Sequence, residues 1–187
     1  MPKRIVFLFA AACLAGASAS GQSLPVPAAG RFYHGCYPGG ISGEEDDLTE
    51  RDVQTYEGIV GQKVAWVYFS NNWYAGRKFP AKTAEWIRAH GAVPYIRLML
   101  RSRNHAIGKP EKTYTLQSII DGKFDADLKA WGRAAAAFGS PLIAEYGTEV
   151  NADWFGWNGK FHGGGRKGGF GDPEKADGPE RAVSGCP

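Results

Sequence analysis

The sequence predicts an α/β fold, a parallel sheet covered by helices, and three observations carry that expectation. Short β-branched and aromatic runs alternate with amphipathic helical ones along the chain. The strand runs read as too apolar on both faces for an open antiparallel sheet, which suits strands buried between layers. With 187 residues, 43% hydrophobic and 22% charged, the chain has an ordinary globular composition and enough length to bury a core as one domain.

The first residues stand outside that alternation. Lys3 and Arg4 precede an apolar run from Ile5 to Leu14, and Ala17-Ser18-Ala19 offers the small-x-small pattern of a cleavage site. Residues 1–19 are therefore expected to be a secretory signal peptide, and residues 20–30, rich in Pro, Gly, Ala and Ser, a flexible leader. This predicts a secreted or periplasmic protein with no membrane association after cleavage, because no later run approaches the roughly 20 apolar residues of a spanning helix. Ala10-Ala11-Ala12-Cys13 departs from a lipoprotein box at the position that usually carries leucine. Loss of Lys3 and Arg4 lowers the formal charge of +3 by two, to +1, so nothing in the mature chain demands an acidic partner. Cleavage also takes Cys13. Export permits a disulfide between Cys36 and Cys186, but two cysteines make neither a disulfide framework nor a zinc site.

Each element has its own signal. "RFYHGCY" (31–37) reads as a first strand, stopped by Pro38-Gly39-Gly40. "EEDDLTERDVQTYEGIVG" (44–61) reads as a helix with acids and Thr49 at its start and Gly61 as its stop. Its acid run, Glu44 to Asp47, is expected to be a solvated helix start at the positive end of the dipole rather than a metal site. "KVAWVYFS" (63–70) is a second strand, and "FPAKTAEWIRAHG" (79–91) a helix opened by Pro80 and closed by Gly91. "AVPYIRLML" (92–100) is a third strand, residues 118–139 a helix with a break near Gly122, and "PLIAEYGTE" (141–149) a fourth strand.

A doubly wound nucleotide-binding sheet and an eight-stranded barrel both fit a parallel sheet. "YPGGISGEEDD" places four acids where a nucleotide phosphate would sit, and repulsion argues against the first. In a barrel, chemistry stands at the C-terminal ends of the strands. Glu149 is expected there, at the end of strand four. Alternation puts Glu145 and Glu149 on one face, but four strand residues separate their backbones by roughly 13 Å, too far for a catalytic pair. Glu145 is therefore expected lower down, in a buried structural pair with Arg97. Asn151, Asp153, Trp154, Phe155 and Trp157 follow Glu149, and Trp73 and Tyr74 follow strand two. Indole platforms beside amides and carboxylates suit the apolar face and polar edge of a sugar, while the same tryptophans could equally pack the loop down as a satellite core; Trp73 and Tyr74 at the same end of the sheet favour the sugar cleft.

"TEVNADWFGWNG" resembles the H-E-M-N-G-x-W-like segment of glycoside hydrolase family 26, best known for endo-β-mannanases. "FYHGCYPGG", "WVYFSNNW" and the run from Asp121-Gly122 to Asp125 are similar to that family as well, over roughly residues 31–180. The resemblance implies a TIM (β/α)8 barrel and retaining hydrolysis of a β-linked polysaccharide such as β-mannan. It implies Glu149 as general acid/base and Asn151, Trp154 and Trp157 as sugar contacts, to which the position of Trp73 and Tyr74 after strand two adds those two; no cofactor or metal is implied. The chain departs from the family at Thr148, where histidine is usual.

A full barrel takes about 250 residues, and this chain offers about four β/α units, the N-terminal half. Residues 31–187 are expected to be a truncated barrel, lacking the family's nucleophile and inactive alone, with self-association through its open sheet. "DPEKADGPERAVSGCP" begins as a helix should and then dissolves. A non-catalytic secreted carbohydrate-binding protein is the rival reading. Nucleic-acid binding through "GGGRKGGFG" (163–171) is opposed by near-neutral charge and by the absence of a Lys-Ser/Thr ending.

Overall fold

The computed structural model describes residues 29–162 except 31, 41–43, 105–107 and 153, with the side chain of Lys160 also left aside. The signal, nearly all of the leader, Asp153, the glycine/arginine stretch, the C-terminal helix start and Cys186 lie outside the described residues. The elements run β1 (Gly35–Cys36), α1 (Glu50–Val60), β2 (Trp66–Asn72), α2 (Ala81–Ala89), β3 (Val93–Met99), α3 (Leu116–Ile120), α4 (Asp125–Ala137) and β4 (Ile143–Tyr146), before a 3-10 turn at Gly159–Phe161. All strand pairings are parallel, in the order β1-β2-β3-β4. Within these four strands the order never reverses, so there is no crevice of the kind a doubly wound sheet opens at its switch point. The winding is compatible with half a β/α barrel. Among the described residues no helix is long and apolar enough to cross a membrane.

Local chemistry sets the boundaries. Thr49 caps α1 through a reciprocal box: Thr49 N–H donates to Asp52 Oδ2 at 2.7 Å, and Asp52 N–H donates to Thr49 Oγ1 at 3.4 Å. The helix thus starts six residues after the acid run begins, and Glu44 to Asp47 form the loop between β1 and α1. The predicted break near Gly122 is real. Thr115 caps the short α3 by accepting from Ser118 N–H at 3.0 Å, and the chain turns through residues 121–124 before α4 starts.

The two faces of the sheet differ more than the sequence suggested. Val67 and Phe69 of β2 and Ile96 and Leu98 of β3 are buried with Val53 of α1, Ala84 and Ile87 of α2 and Trp131 of α4. Trp131 also donates its indole N–H to Asn71 Oδ1 at 3.0 Å, tying α4 to the sheet. The opposite face is polar and aromatic. Strand alternation and register put Tyr68, Tyr95 and Ile143 in one row of that face, and Ser70, Arg97 and Glu145 in the next. Tyr37, Tyr68 and Tyr95 meet edge to face along it, with centroids 6.3 and 5.2 Å apart.

Candidate active site at the C-terminal edge of the sheet

The polar face leads up to the loops that follow the strands, and there Arg97 is the centre. Its side chain is 8% exposed, yet it holds two carboxylates: Nη1 donates to Glu45 Oε2 and Nη2 to Glu149 Oε1 at 3.1 Å. The guanidinium lies 5.3 Å from the Tyr68 ring centroid and 5.9 Å from that of Phe155. Ser70 Oγ donates to the same Glu45 oxygen at 3.2 Å. Trp154 Nε1 donates to the other Glu149 oxygen at 2.8 Å. The carboxylates are more open than the base between them, with side-chain exposures of 27% for Glu45 and 43% for Glu149.

Glu149 reaches this position through a turn. β4 ends at Tyr146, Gly147 takes a left-handed φ of 70°, and Ala152 N–H closes back on Glu149 carbonyl oxygen at 2.8 Å. Glu149 itself has φ 50°, Glu45 has φ 58°, and no other non-glycine among the described residues has positive φ. Each such backbone costs on the order of 1 kcal/mol. The expectation that Glu145 and Glu149 share a strand face is thereby corrected, because the alternation stops two residues short of Thr148.

The buried pair expected between Arg97 and Glu145 is corrected too. They are register neighbours, but the ion pairs of Arg97 run to Glu45 and Glu149. Glu145 is half-buried, and the phenol of its neighbour Tyr95 is raised by burial and then by the Glu145 charge. A geometry in which Glu45 reaches farther into the edge than Glu145 follows from the β1–α1 loop, which lies across the strand ends. Ser70 N–H donates to Glu45 carbonyl oxygen at 2.7 Å, and Asn72 Nδ2 reaches Glu44 carbonyl oxygen at 3.0 Å and Asp46 Oδ2 at 2.9 Å.

That loop corrects the reading of Glu44 to Asp47 as a solvated helix start: all four precede the Thr49 cap, Asp46 and Asp47 are exposed, and Glu44 and Glu45 are drawn inward. Glu44 is 6% exposed and paired with Arg101, which also donates to Asn72 Oδ1 at 2.8 Å and lies over the Tyr74 ring. Glu44, Glu45, Asn72 and Arg101 are the residues the sequence reading missed. The available signal was Arg97 and Arg101 at the end of an otherwise apolar strand, two bases facing a loop of four acids. Among the described residues no three His, Cys, Asp or Glu side chains converge to hold a metal ion.

The aromatic rim is smaller than expected. Trp73 is 2% exposed and packs edge-on to Tyr114 and Phe124 in the main core. Trp157 is 5% exposed, stacks on Phe155 with centroids 4.4 Å apart, and donates Nε1 to Thr148 carbonyl oxygen at 2.9 Å. With Met99 and Leu116 it forms a satellite core under the loop. Trp154 is exposed, Tyr74 is part-exposed with its hydroxyl 3.5 Å from Asp46, and Asn151 is exposed. The loop is pinned from the side as well: Gly108 N–H donates to Trp154 carbonyl oxygen at 2.8 Å, and Gly156 lies so close to Glu111 that a Cβ would stand 2.7 Å from Glu111 N.

Comparison with known proteins gives no match to any family model and no match among curated proteins. The chemistry must be read from the residues. The edge presents an exposed indole, two half-open carboxylates and a buried base, a set suited to a polar ligand with an apolar face. A groove of about 590 Å³ opens beyond the end of β2, between Asp46, Asn72, Arg77, Lys78 and Thr83, and Glu149 is not part of its lining.

Proposed function

We propose that the chain is the acid/base-bearing part of an exported retaining glycoside hydrolase acting on a β-linked polysaccharide such as β-mannan, built on the first four units of a (β/α)8 barrel. The observation that supports this best is the setting of Glu149. It stands past the C-terminal end of β4, held between Arg97 and the indole N–H of Trp154, yet stays 43% exposed beside an exposed tryptophan. A carboxyl so placed can protonate a leaving glycosidic oxygen and later take a proton from water. Trp154 offers the sugar its apolar platform, and Asn151 and Tyr74 offer hydrogen bonds to its hydroxyls. Trp73 and Trp157 support the loops from beneath.

Calorimetric titration with mannohexaose tests the reading. Trp154→Ala should weaken binding by at least about tenfold, as loss of a stacked aromatic does, while Glu149→Gln keeps the affinity. Failure to bind mannan, xylan, mixed-linkage glucan and cellulose would refute it. Export is tested by sequencing the N-terminus of the mature protein, expected to begin near Ser20.

A further inference from the structure

We infer that the groove beyond the end of β2 is a subsite for a carboxylate, and that the polysaccharide taken by this edge carries acidic sugar units, uronates, among its neutral ones. The inference rests on the glycan reading above and deepens it, because it names a substrate class that the rim around Glu149 does not specify.

The groove holds about 590 Å³, within the range of small-molecule sites and far more room than a lone oxyanion fills. Phe69 and Phe79 give it an apolar lining. Its polar lining is distinguished by what is left unmatched. Asn71 is 9% exposed yet lines the groove. The indole N–H of Trp131 can only donate, so Asn71 must turn its oxygen to it, at 3.0 Å, which leaves the amide NH2 on the other side. Among the described residues no acceptor meets that NH2. A buried amide nitrogen ordinarily has one.

More donors stand on the same lining. Lys78 and the Thr83 hydroxyl make no ion pair or hydrogen bond with any described residue. The nine-residue α2 starts here, behind Pro80, which supplies no side-chain cap. Ala81 and Ala84 N–H find backbone acceptors, but the N–H groups of Lys82 and Thr83 find none among the described residues. Arg77 lies alongside, its Nε donating to the Tyr114 hydroxyl at 2.9 Å and its Nη1 to Asp127 at 2.8 Å. The one acid of the lining is Asp46, whose Oδ2 already accepts from Asn72 Nδ2 at 2.9 Å.

Amide, hydroxyl, ammonium and helix-start N–H groups can all donate, so the group that matches them is an acceptor with negative charge. The volume and the two phenyl rings add a ring to that group. A sugar carrying a carboxylate meets both demands, whereas a bare phosphate or sulfate leaves the apolar lining unused. The groove also adjoins the path of the glycan. Tyr74, which offers that glycan a hydroxyl, lies 3.5 Å from the Asp46 carboxylate of the lining.

The test is calorimetric titration of the purified chain with mannotetraose and with the two tetramers in which one terminal unit, at either end, is mannuronate. One acidic tetramer should bind at least about tenfold more tightly than mannotetraose, as charge-assisted hydrogen bonds imply, and the preference should shrink as sodium chloride is raised. Lys78→Met, which keeps the stem and removes the charge, should abolish the preference, leave mannotetraose binding unchanged and unfold at the wild-type urea midpoint. Asn71→Asp keeps the oxygen that Trp131 needs and replaces the NH2 by a second oxygen, so it should reverse the preference. Equal affinity of wild type for the neutral and acidic tetramers would overturn the uronate subsite and leave the glycan reading standing. A preference that survives both substitutions would put the carboxylate outside the groove and overturn it as well. Displacement of the acidic tetramer by sodium phosphate beyond that by sodium chloride of equal ionic strength would reduce the groove to a simple anion site and refute the sugar assignment. A chain that binds none of the three tetramers would sink the glycan reading and this inference with it.

Discussion

Glu57→Gln offers the sharpest test of how the far end of the sheet is held together. Glu57 lies on the last turn of α1 with its side chain 6% exposed. Its carboxylate accepts from Lys63 Nζ at 2.5 Å and Val64 N–H at 3.0 Å, and pairs with His90 Nε2 at 3.1 Å, joining α1, the approach to β2 and the end of α2. Burial alone would raise the carboxyl, but Lys63, Val64 and His90 together outweigh it and hold the group below its ordinary value of 4.5. A depressed folded-state value contributes stability that is fully present above the unfolded carboxylate value and is lost as pH falls through the folded one. The Lys63 pair is worth about 1 kcal/mol or less, because Lys63 is 75% exposed. The glutamine oxygen can still accept Val64 N–H, so the main loss is a charge-assisted bond to His90, and the total comes to about 2 kcal/mol. Urea unfolding at pH 7 should show that gap, and it should close as pH is lowered from about 4.5, where wild type loses what the variant never had. A gap of the same size in acid, or none at pH 7, would refute the reasoning. The Cys36 thiol supplies a second readout. Burial, and then the Glu57 charge, push it up to about 11, so iodoacetamide should label it slowly at neutral pH and its labelling profile should move to lower pH in Glu57→Gln.

Further expectations concern the other joints. Thr49→Ala removes the side-chain half of the α1 capping box and should cost about 1 kcal/mol in urea unfolding. Gly156→Ala forces a methyl to within 2.7 Å of Glu111 N and 2.8 Å of its Cβ; overpacking of about 1–3 kcal/mol should follow, with Trp154 fluorescence changed because Gly108 pins the same loop. Trp131→Phe leaves Asn71 Oδ1 without its donor and should cost about 1–3 kcal/mol by thermal or urea unfolding.

The alternation of strands and helices was legible because it rests on local signals. β-branched runs, Thr49, Pro80 and Gly91 act within a few residues of themselves, and the structure puts parallel strands and helices where they point. The break near Gly122 was legible for the same reason. Element ends were less so. The first strand shrinks to Gly35–Cys36, and the fourth stops at Tyr146, three residues before Glu149. Those limits depend on where neighbouring strands stop offering hydrogen bonds, which no local run encodes.

The site divides along the same line. Sequence alone marked Glu149 and Trp154, through a carboxylate and indoles following a strand, and the structure brings those two together at 2.8 Å. It could not separate Trp154 from Trp73 and Trp157, since an exposed indole and one in a core have the same composition and differ only in what packs over them. Nor could it find Glu45, 104 positions from Glu149 in the chain. What the sequence by itself determined is the rhythm of a parallel α/β sheet and the place of one acid just past its fourth strand. Only the tertiary structure decided that acid's partners, because a parallel sheet gathers the loops after β1, β3 and β4 at one end, and a single buried arginine there draws together carboxylates that no local pattern connects.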